Sequence, residues 1–414
     1  MVPGSRPARY GPAGSTRSVF RTSALGSLSG RRRSLLARAM ARGSPVRRLD
    51  WVLMTAVAVL TVMSTLLIWS ATRQQLLQAG SDPQALLKKQ LLNVVIGVVL
   101  LCVVSMLDYR VLRAYAPIGY FLACLGLLAV LSPLGATING ARSWIVIGAG
   151  FQVEPSEFAK ITLLLVVALV LGELRDGDRA PRGRDLTLAL AVSAPALVLV
   201  LLQPDLSVVV VMAVMIFGMI AVSGARLRWI AGMLLVTLVV ALFVWRMHLL
   251  KQYQIQRITA FVHPTADPSG SGYDASQALI TIGSGGLFGH GLFHGGLTAG
   301  HFVPEVQTDF IFTVAGEEFG FAGTIAIIAL LGVVFARALR IAVHAESQFG
   351  SLIAVGVTCW FAVQAFINIG MTIGITPVSG LPLPFVSYGG TATFANMIAI
   401  GLLQAVHRHH SMFS

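Results

Sequence analysis

Long uninterrupted runs of apolar residues are the feature that most constrains how this 414-residue chain can fold. Hydrophobic residues make up 56% of it and charged residues only 11%, whereas an ordinary globular domain carries about a quarter charged residues. A run of about 18 apolar residues crosses the hydrocarbon core of a bilayer as a helix, because backbone polar groups in lipid must be satisfied within the segment. The pattern therefore predicts an all-α polytopic membrane protein.

About ten transmembrane helices can be drawn on this pattern. The predicted spans are approximately 51–70, 91–107, 117–134, 157–174, 186–202, 206–222, 229–246, 309–336, 352–373 and 391–407. We expect a membrane domain over residues 50–408, followed by a short C-terminal segment, 409–414. The three cysteines all fall inside apolar spans without metal-ligand spacing, so neither a disulfide framework nor a cysteine metal site is expected.

The charge distribution orients these spans. The net charge is +13, but residues 1–49 hold eleven Arg and no acidic residue. We interpret this segment as a disordered basic cytoplasmic tail beside anionic lipid; nucleic-acid binding and an organellar transit peptide are the less favoured alternatives. With this end in the cytoplasm, most loop Arg and Lys also lie inside. Both termini are then cytoplasmic in a multi-pass protein of the cell membrane.

The same alternation makes the long segment 249–308, between predicted helices 7 and 8, a large extracytoplasmic loop. It concentrates polar groups that are scarce elsewhere, including Arg257, and Asp267 between Pro264 and Pro268. An Asp before Pro is by itself typical of a turn. The glycines of 285–296 lack the strand and the Gly-Lys-Ser/Thr of a phosphate loop, so we expect a tight re-entrant or surface segment there.

Ionisable residues inside predicted spans are functional candidates, because each costs several kcal/mol in lipid unless it is paired or hydrated. Glu157 and Lys160 lie three residues apart on one helical face, close enough to pair. The pair either locks helix packing or lines a polar groove for an anionic headgroup. Glu317 and Glu318 must face water, a cation or a basic partner.

Two residues near the extracytoplasmic boundary have alternative interpretations, and one loop there has a distinctive composition. Arg142 is either a snorkelling side chain or a phosphate ligand. Asp309 is either a helix cap or a functional carboxylate. Residues 376–390, which include Ser387, hold three prolines and three glycines; this composition predicts a rigid loop that caps a cavity.

Together these segments resemble the SEDS family of membrane glycosyltransferases, which comprises the RodA, FtsW and SpoVE branches. Each matching run alone is weak evidence for the family, but the order of the runs and their positions in the predicted topology are specific to it. The matching runs are 139–144, 155–157 with Lys160, 203–206, 267–277, 284–287, 304–305, 308–312, 317–320 and 380–390. Residues 291–295 are more similar to RodA than to FtsW. Asp274 and Gln307 depart from the family's usual residues, and Asp274 adds a second carboxylate seven positions after Asp267.

The resemblance implies a peptidoglycan glycosyltransferase that polymerises lipid II at the outer face of the cytoplasmic membrane and releases undecaprenyl diphosphate. A RodA-like role in cell elongation and shape is favoured; an FtsW-like division polymerase and a lipid II flippase are the alternatives. The implied partner is a class B penicillin-binding protein transpeptidase. No organic cofactor and no nucleic-acid partner are expected.

The resemblance assigns Asp267 as the base that deprotonates the acceptor hydroxyl. A divalent cation, Mg or Mn, is a candidate cofactor, with Asp267, Glu305 or Asp309 as oxygen ligands. No spacing in the sequence establishes a metal site. The expected substrate-binding residues are Arg142, Glu157, Lys160, Arg257, Gln277, Glu305, Asp309 and Ser387.

Overall fold

The computed structural model describes residues 49–138, 141–146, 152–173, 180–247, 252–263, 270–300 and 302–413. The basic tail predicted for 1–49 therefore lies, except for Leu49, outside the described residues. In the rest of the chain ten helices coincide in order with the ten predicted spans. They are α1 (Trp51–Gln78), α2 (Ala85–Met106), α3 (Tyr109–Leu131), α4 (Pro155–Gly172), α5 (Gly183–Leu202), α6 (Leu206–Val222), α7 (Leu227–Arg246), α11 (Ile311–His344), α12 (Gln348–Thr372) and α13 (Gly390–Phe413).

Eight of these helices are long and apolar enough to cross a membrane. The other two are α6, an apolar helix of 17 residues, and the more polar α13. The described residues thus form a mostly helical, multi-pass membrane protein, and ten crossings remain a prediction. Several helices begin where the sequence offers a cap: the carboxylates of Asp50, Asp108 and Asp205 each accept a hydrogen bond from a backbone N–H of the first turn.

The all-α description omits a small antiparallel sheet between α3 and α4. Its strands, in spatial order, are β1 (Gly135–Ile138), β2 (Ala141–Val146) and β3 (Gln152–Val153). Alternation over so few residues is a weak signal, and the apolar pattern on either side dominated the prediction. Three short helices in the segment 249–308 were also not predicted. They are α8 (Gln252–Val262), α9 (Ser271–Ser284) and α10 (Gly296–Ala299).

The centre of the described bundle is formed by α4 and α12. About two thirds of the apolar window of each is buried, whereas none of that of α7 is. The two central helices pack on each other and on α6. Small residues allow the close approach: a methyl group at Gly356 would lie only 2.6 Å from Leu164 and 2.9 Å from the sulfur of Met219. The charged residues of α4 are therefore held in the least accessible part of the protein.

Helix α11 is broken at Gly320, which has φ +66° and ψ −163°. The backbone groups freed by this break bond to the glycine-rich segment 285–291. Phe321 and Ala322 donate their N–H groups to the carbonyls of Gly286 and Leu287, at 2.9 and 3.0 Å. In return, the carbonyls of residues 317 and 318 accept the N–H groups of residues 290 and 291. A broken membrane helix is tolerated where its backbone groups are satisfied in this way.

Candidate active site

A buried ion pair lies at the start of α4. Lys160 Nζ is 2.8 Å from Glu157 Oε1, and the two side chains are 0% and 1% exposed. The pairing expected from their spacing is therefore present. The second carboxylate oxygen, Glu157 Oε2, has no hydrogen-bond partner among the described residues. A buried ion pair with one unsatisfied oxygen lowers the stability of the fold. Packing alone therefore does not explain the pair, which makes it a candidate for a role in function.

Lys160 connects this pair to α12 and to the predicted capping loop. Its Nζ donates to Gln364 Oε1 at 3.1 Å and lies 4.7 Å from the centre of the Trp360 ring. Trp360 Nε1 donates to the same amide oxygen, at 2.7 Å. The amide nitrogen of Gln364 in turn donates to the carbonyl of Pro382, at 2.8 Å. The buried lysine thus orients a side chain that holds the loop 376–390.

Arg257, on α8, reaches the same loop from the other side. Its Nη1 donates to the carbonyl of Ser379 at 3.2 Å, and its guanidinium carbon lies 5.5 Å from the centre of the Tyr253 ring. Ser207, at the start of α6, donates its hydroxyl to the same carbonyl, at 2.8 Å. Arg257 is only half-buried, so its remaining donors can serve a bound anion.

Asp309 lies beside Arg257 at the turn of the loop. A Cβ placed on Gly380, which has φ +74°, would lie 3.6 Å from Asp309 Oδ2 and 4.0 Å from Arg257 Nη2. The capping role considered for Asp309 is not observed: Phe310 is the N-cap of α11, and no side chain caps that end. Burial, together with the charge of Glu305, raises the pKa of Asp309 to about 7, although Arg257 opposes the rise.

Two carboxylates that were not among the predicted substrate-binding residues belong to the same charged cluster. Burial raises the pKa of Glu154 to about 8, and the negative charges of Glu157 and Asp205 add to the rise. Burial also raises the pKa of Asp205, against the hydrogen bond from the Val208 N–H and the charges of Lys160 and Arg257. Asp205 therefore lies within electrostatic range of both cations. Raised carboxyl pKa values in a concave site are typical of functional sites.

Arg142 is placed on β2 and has a local role. Its Nη2 donates to the carbonyl of Ser132 at 2.7 Å, and its Nε donates to that of Gly135 at 3.2 Å. The backbone N–H of Arg142 bonds to the carbonyl of Gln203, at 3.4 Å. The guanidinium thus stabilises the connection between α3 and the sheet. Some of its five N–H donors remain available to hydrogen-bond another group.

Among the other predicted residues, the Ser387 hydroxyl accepts the N–H of Leu383 at 2.7 Å, so it stabilises the loop. Glu305 is exposed, and its backbone carbonyl accepts N–H groups from residues 308–310. Gln277 is half-buried on α9. The neighbouring face of α9 helps to line a cavity of about 140 Å³ with Arg257, Ser276 and Thr376.

The favoured base, Asp267, lies in 264–269, outside the described residues. The described chain on either side consists of α8, which carries Arg257, and α9, which begins at Ser271 and packs on α8. Asp274, the alternative carboxylate, is in the first turn of α9 and is half-buried. Within the described ranges no three His, Cys, Asp or Glu residues are grouped as they would be to hold a metal ion.

The structure therefore brings together Glu157, Lys160, Arg257, Asp309 and the loop that includes Ser387. Sequence reasoning missed Gln364 and Asn368, two fully buried amides of α12. Their spacing of four residues within an apolar span was an available signal. Asn368 donates to the carbonyls of Asp309 and Leu381, at 2.8 and 2.7 Å, and so joins both sides of the site.

Known proteins resemble this chain over most of its length. Residues 50–412 match the family described as cell cycle protein, FtsW/RodA/SpoVE. The peptidoglycan glycosyltransferase MrdB of Escherichia coli K12 is 35% identical over 369 residues, 88% of this chain and 95% of that protein. Stage V sporulation protein E of Bacillus subtilis is 36% identical over 363 residues, 87% of this chain and 97% of that protein.

A solved structure has a similar fold. Its description reads "Structural coordination of polymerization and crosslinking by a peptidoglycan synthase complex". One of its chains superposes with a TM-score of 0.71 at 30% sequence identity, covering 87% of this chain and 98% of its own length.

Proposed function

The chain belongs to the FtsW/RodA/SpoVE family of cell cycle proteins, and from this premise we propose that it polymerises lipid II into glycan strands at the outer face of the cytoplasmic membrane. The observation that carries the proposal is the similarity to a peptidoglycan glycosyltransferase over 88% of the chain. It is a glycosyltransferase of the inverting type, and undecaprenyl diphosphate is its leaving group. The match to MrdB supports a RodA-like role in elongation.

Asp267 acts as the general base in this proposal. It takes the proton from the acceptor sugar's hydroxyl as that oxygen attacks the anomeric carbon and the bond to the diphosphate breaks.

Arg257 is the proposed ligand of the diphosphate. Its guanidinium is half-buried, already positioned by Ser379 and Tyr253, and retains donors for phosphate oxygens. A positive charge held in advance where the leaving group develops its charge lowers the barrier to transfer. Arg142 is proposed as an additional headgroup contact at the edge of the sheet.

Lys160 and Glu157 act as positioning residues. Lys160 is 0% exposed, and its charge reaches the loop 376–390 through Gln364 and Pro382. A change at Lys160 therefore shifts the loop that holds Arg257. Gln277, Glu305 and Ser387 are proposed to shape the same groove, with Ser387 acting through the fold of the loop.

A divalent cation, Mg or Mn, is proposed to assist departure of the diphosphate. Among the described residues, Glu305 and Asp309 are the suitable oxygen ligands, and Asp267 would complete the set. The mutual repulsion of Glu305 and Asp309 is of the kind that a bound cation relieves. Addition of a chelator during the polymerisation assay, followed by Mg or Mn, tests this proposal.

We further propose that the chain works with a class B penicillin-binding protein transpeptidase, and that both termini are cytoplasmic. The similarity to a chain from a complex that coordinates polymerization and crosslinking supports such a partner. The distribution of Arg and Lys supports the orientation. Co-purification with the cognate transpeptidase, and labelling of single cysteines introduced at each end, test these two statements.

The deciding experiment compares Asp267→Asn with Asp274→Asn in the purified protein reconstituted with lipid II. Loss of a general base lowers the rate by roughly 10²–10⁴-fold, so Asp267→Asn should abolish visible glycan polymer. Asp274→Asn should retain the rate within a few-fold. Both substitutions remove one negative charge from the same segment, so each is the other's control.

Two outcomes would contradict this proposal. Near-wild-type polymer from Asp267→Asn with loss in Asp274→Asn would transfer the base to residue 274. Translocation of the lipid II headgroup across the vesicle, without any polymer from the wild-type protein, would instead identify a flippase.

A further inference from the structure

A second pocket lies at the opposite end of the bundle from the loop 376–390. Its cavity, of about 180 Å³, is lined where α1 begins and where α11 and α13 end, by Asp50, Arg337, Arg340, Ile341, His344, Val406 and His407. None of these residues belongs to the proposed active site. The cavity is smaller than the roughly 300–1,000 Å³ pockets that enclose whole drug-sized ligands, which favours a small group.

The charge of this pocket is predominantly positive. Arg337 is used internally: its Nη2 and Nε lie 2.7 and 2.8 Å from Oδ2 of Asp50, which is buried and caps α1. Gln404 fixes the backbone of Asp50 with two further hydrogen bonds. One arginine and one carboxylate therefore compensate each other and form the rigid wall of the pocket.

Arg340 supplies the uncompensated charge. It lies one turn after Arg337 on α11, and its exposed side chain makes no hydrogen bond or ion pair within the described part of the chain. His344 lies a further turn on, with its Nδ1 at 2.8 Å from the carbonyl of Arg340. The exposed guanidinium of Arg340 suits a phosphate group.

Exposed apolar side chains are adjacent in sequence to residues that line the pocket. Val343 and Leu339, on the same helix, are 81% and 49% exposed, and Trp51 and Val52, at the start of α1, are 54% and 53% exposed. Trp is enriched where a membrane meets water. A soluble phosphate compound would gain nothing from these side chains, whereas the acyl chains of a lipid would cover them.

From an uncompensated guanidinium beside exposed apolar side chains, we propose that Arg340 binds the phosphate of an anionic phospholipid from the cytoplasmic leaflet. The inference rests on the orientation proposed above but not on the glycosyltransferase reaction. Basic pockets between helices on this side of a membrane are suited to such headgroups. The bound lipid would bridge the start of α1 and the end of α11.

The test is lipid retention by the full-length protein in nanodiscs that contain equal amounts of phosphatidylglycerol and phosphatidylcholine. Native mass spectrometry counts the lipids kept after release. Arg340→Gln should lower the retention of phosphatidylglycerol about fivefold, as expected for one basic residue near a membrane surface, while Arg340→Lys should retain most of it. Arg228→Gln, an exposed arginine at the start of α7 outside the pocket, is the matched control and should retain it fully.

Equal retention by the wild type and Arg340→Gln would overturn the proposal, as would an equal loss in Arg228→Gln. Millimolar inorganic phosphate that displaces the lipid signal, or that raises the thermal stability of lipid-free protein through Arg340, would identify a soluble ligand instead. The Arg340→Gln protein should still polymerise lipid II in detergent. Failure of the lipid site and failure of the proposed enzyme are therefore distinguishable.

Discussion

Two buried acidic clusters use opposite means to keep a carboxylate inside the bundle. Glu157 is compensated by a lysine side chain. Glu317 is compensated by the protein backbone: its two oxygens accept the N–H groups of Leu297 and Thr298, at 2.7 and 2.9 Å. The neighbouring Glu318 likewise accepts the N–H of Phe293 at 3.2 Å, and the hydroxyl of Ser70.

The two clusters also differ in what they connect to. Each has one buried carboxylate oxygen without a hydrogen-bond partner among the described residues, Glu157 Oε2 and Glu318 Oε2. The Glu157–Lys160 pair connects through Gln364 to the loop at the proposed active site. Glu317 instead holds one loop segment against α11, and its own hydrogen-bonding capacity is largely used. The role of a charged residue in a membrane span can therefore be inferred only when its hydrogen-bond and ion-pair partners are known.

The largest expected effect comes from breaking the ion pair. Lys160→Met keeps the length of the side chain but leaves Glu157 charged and unpaired, which should lower the free energy of unfolding by about 3–5 kcal/mol. Denaturant unfolding in detergent measures it. The matched control is Glu157→Gln with Lys160→Met, which should recover most of the stability.

The double variant also distinguishes the two roles of the pair. Recovered stability without recovered glycan synthesis would mean that the pair contributes to the reaction through the loop. Full polymerase activity in the double variant would show that the pair serves packing alone. The Glu157 and Glu317 clusters would then not differ in function.

The second largest effect on stability is expected at Glu317, and it should be confined to the segment that Glu317 holds. Glu317→Gln replaces one accepting oxygen with a donor that faces the N–H of Thr298, and should destabilise the segment 293–298 by about 1.5–3 kcal/mol. Hydrogen exchange of peptides covering that segment should become faster, whereas peptides around Lys160 should not change. Glu305→Gln, at an exposed carboxylate, is the control. Equal changes in both regions would mean that the clusters are coupled.

A smaller effect is expected from pH. The pKa of Asp309 is raised from 3.8 to about 7, so the folded state holds a proton that the unfolded state releases. The stability should therefore fall as pH rises from about 4 to about 7, and then level off. Because this residue is partly exposed, the total should be about 1 kcal/mol.

Thermal unfolding between pH 4 and pH 8 measures this slope. Asp309→Asn should flatten it, and Glu305→Gln, by removing the nearby negative charge, should move the plateau to lower pH. A slope that is the same in the wild type and Asp309→Asn would assign the titration to another group.

The smallest expected effect is at Arg142. Lysine can replace only one of its two hydrogen bonds to the carbonyls of Ser132 and Gly135, so Arg142→Lys should cost about 1 kcal/mol. If Arg142 also contacts the headgroup as proposed, the KM for lipid II should rise, but less than in Arg257→Lys, where a bidentate phosphate contact is lost. A KM for Arg142→Lys within about twofold of the wild type would leave Arg142 only its role in bracing the sheet.

The helices were predictable because the length and polarity of a membrane span follow from the composition of its own residues. The Glu157–Lys160 contact was predictable for a similar reason, since both residues lie on one helix. The partners of Glu317 and Glu318 were not. Most of them are backbone N–H groups about 20 residues away, which every residue type except proline carries, and one is the hydroxyl of Ser70 on α1.

The candidate site was predictable only in part. Its charged members could be named from the sequence, but the amides that join them could not be assigned partners. Gln364 and Asn368 bond to backbone carbonyls of the loop and of Asp309, and these contacts depend on how α12 packs against α4 and α11. The three-stranded sheet was missed because its strands are too short to stand out beside long apolar spans.

The break in α11 also bears on how the protein is assembled. Residues 286–291 are synthesised before Gly320, yet the carbonyls and N–H groups they need become available only when the later helix emerges. A Cβ at residue 320 would collide with backbone nitrogens of Phe288 and Gly289, at 2.6 and 2.4 Å. The preceding segment therefore cannot complete its docking before α11 is synthesised. In a nascent chain arrested before α11, the backbone groups of residues 286–291 would lack these partners.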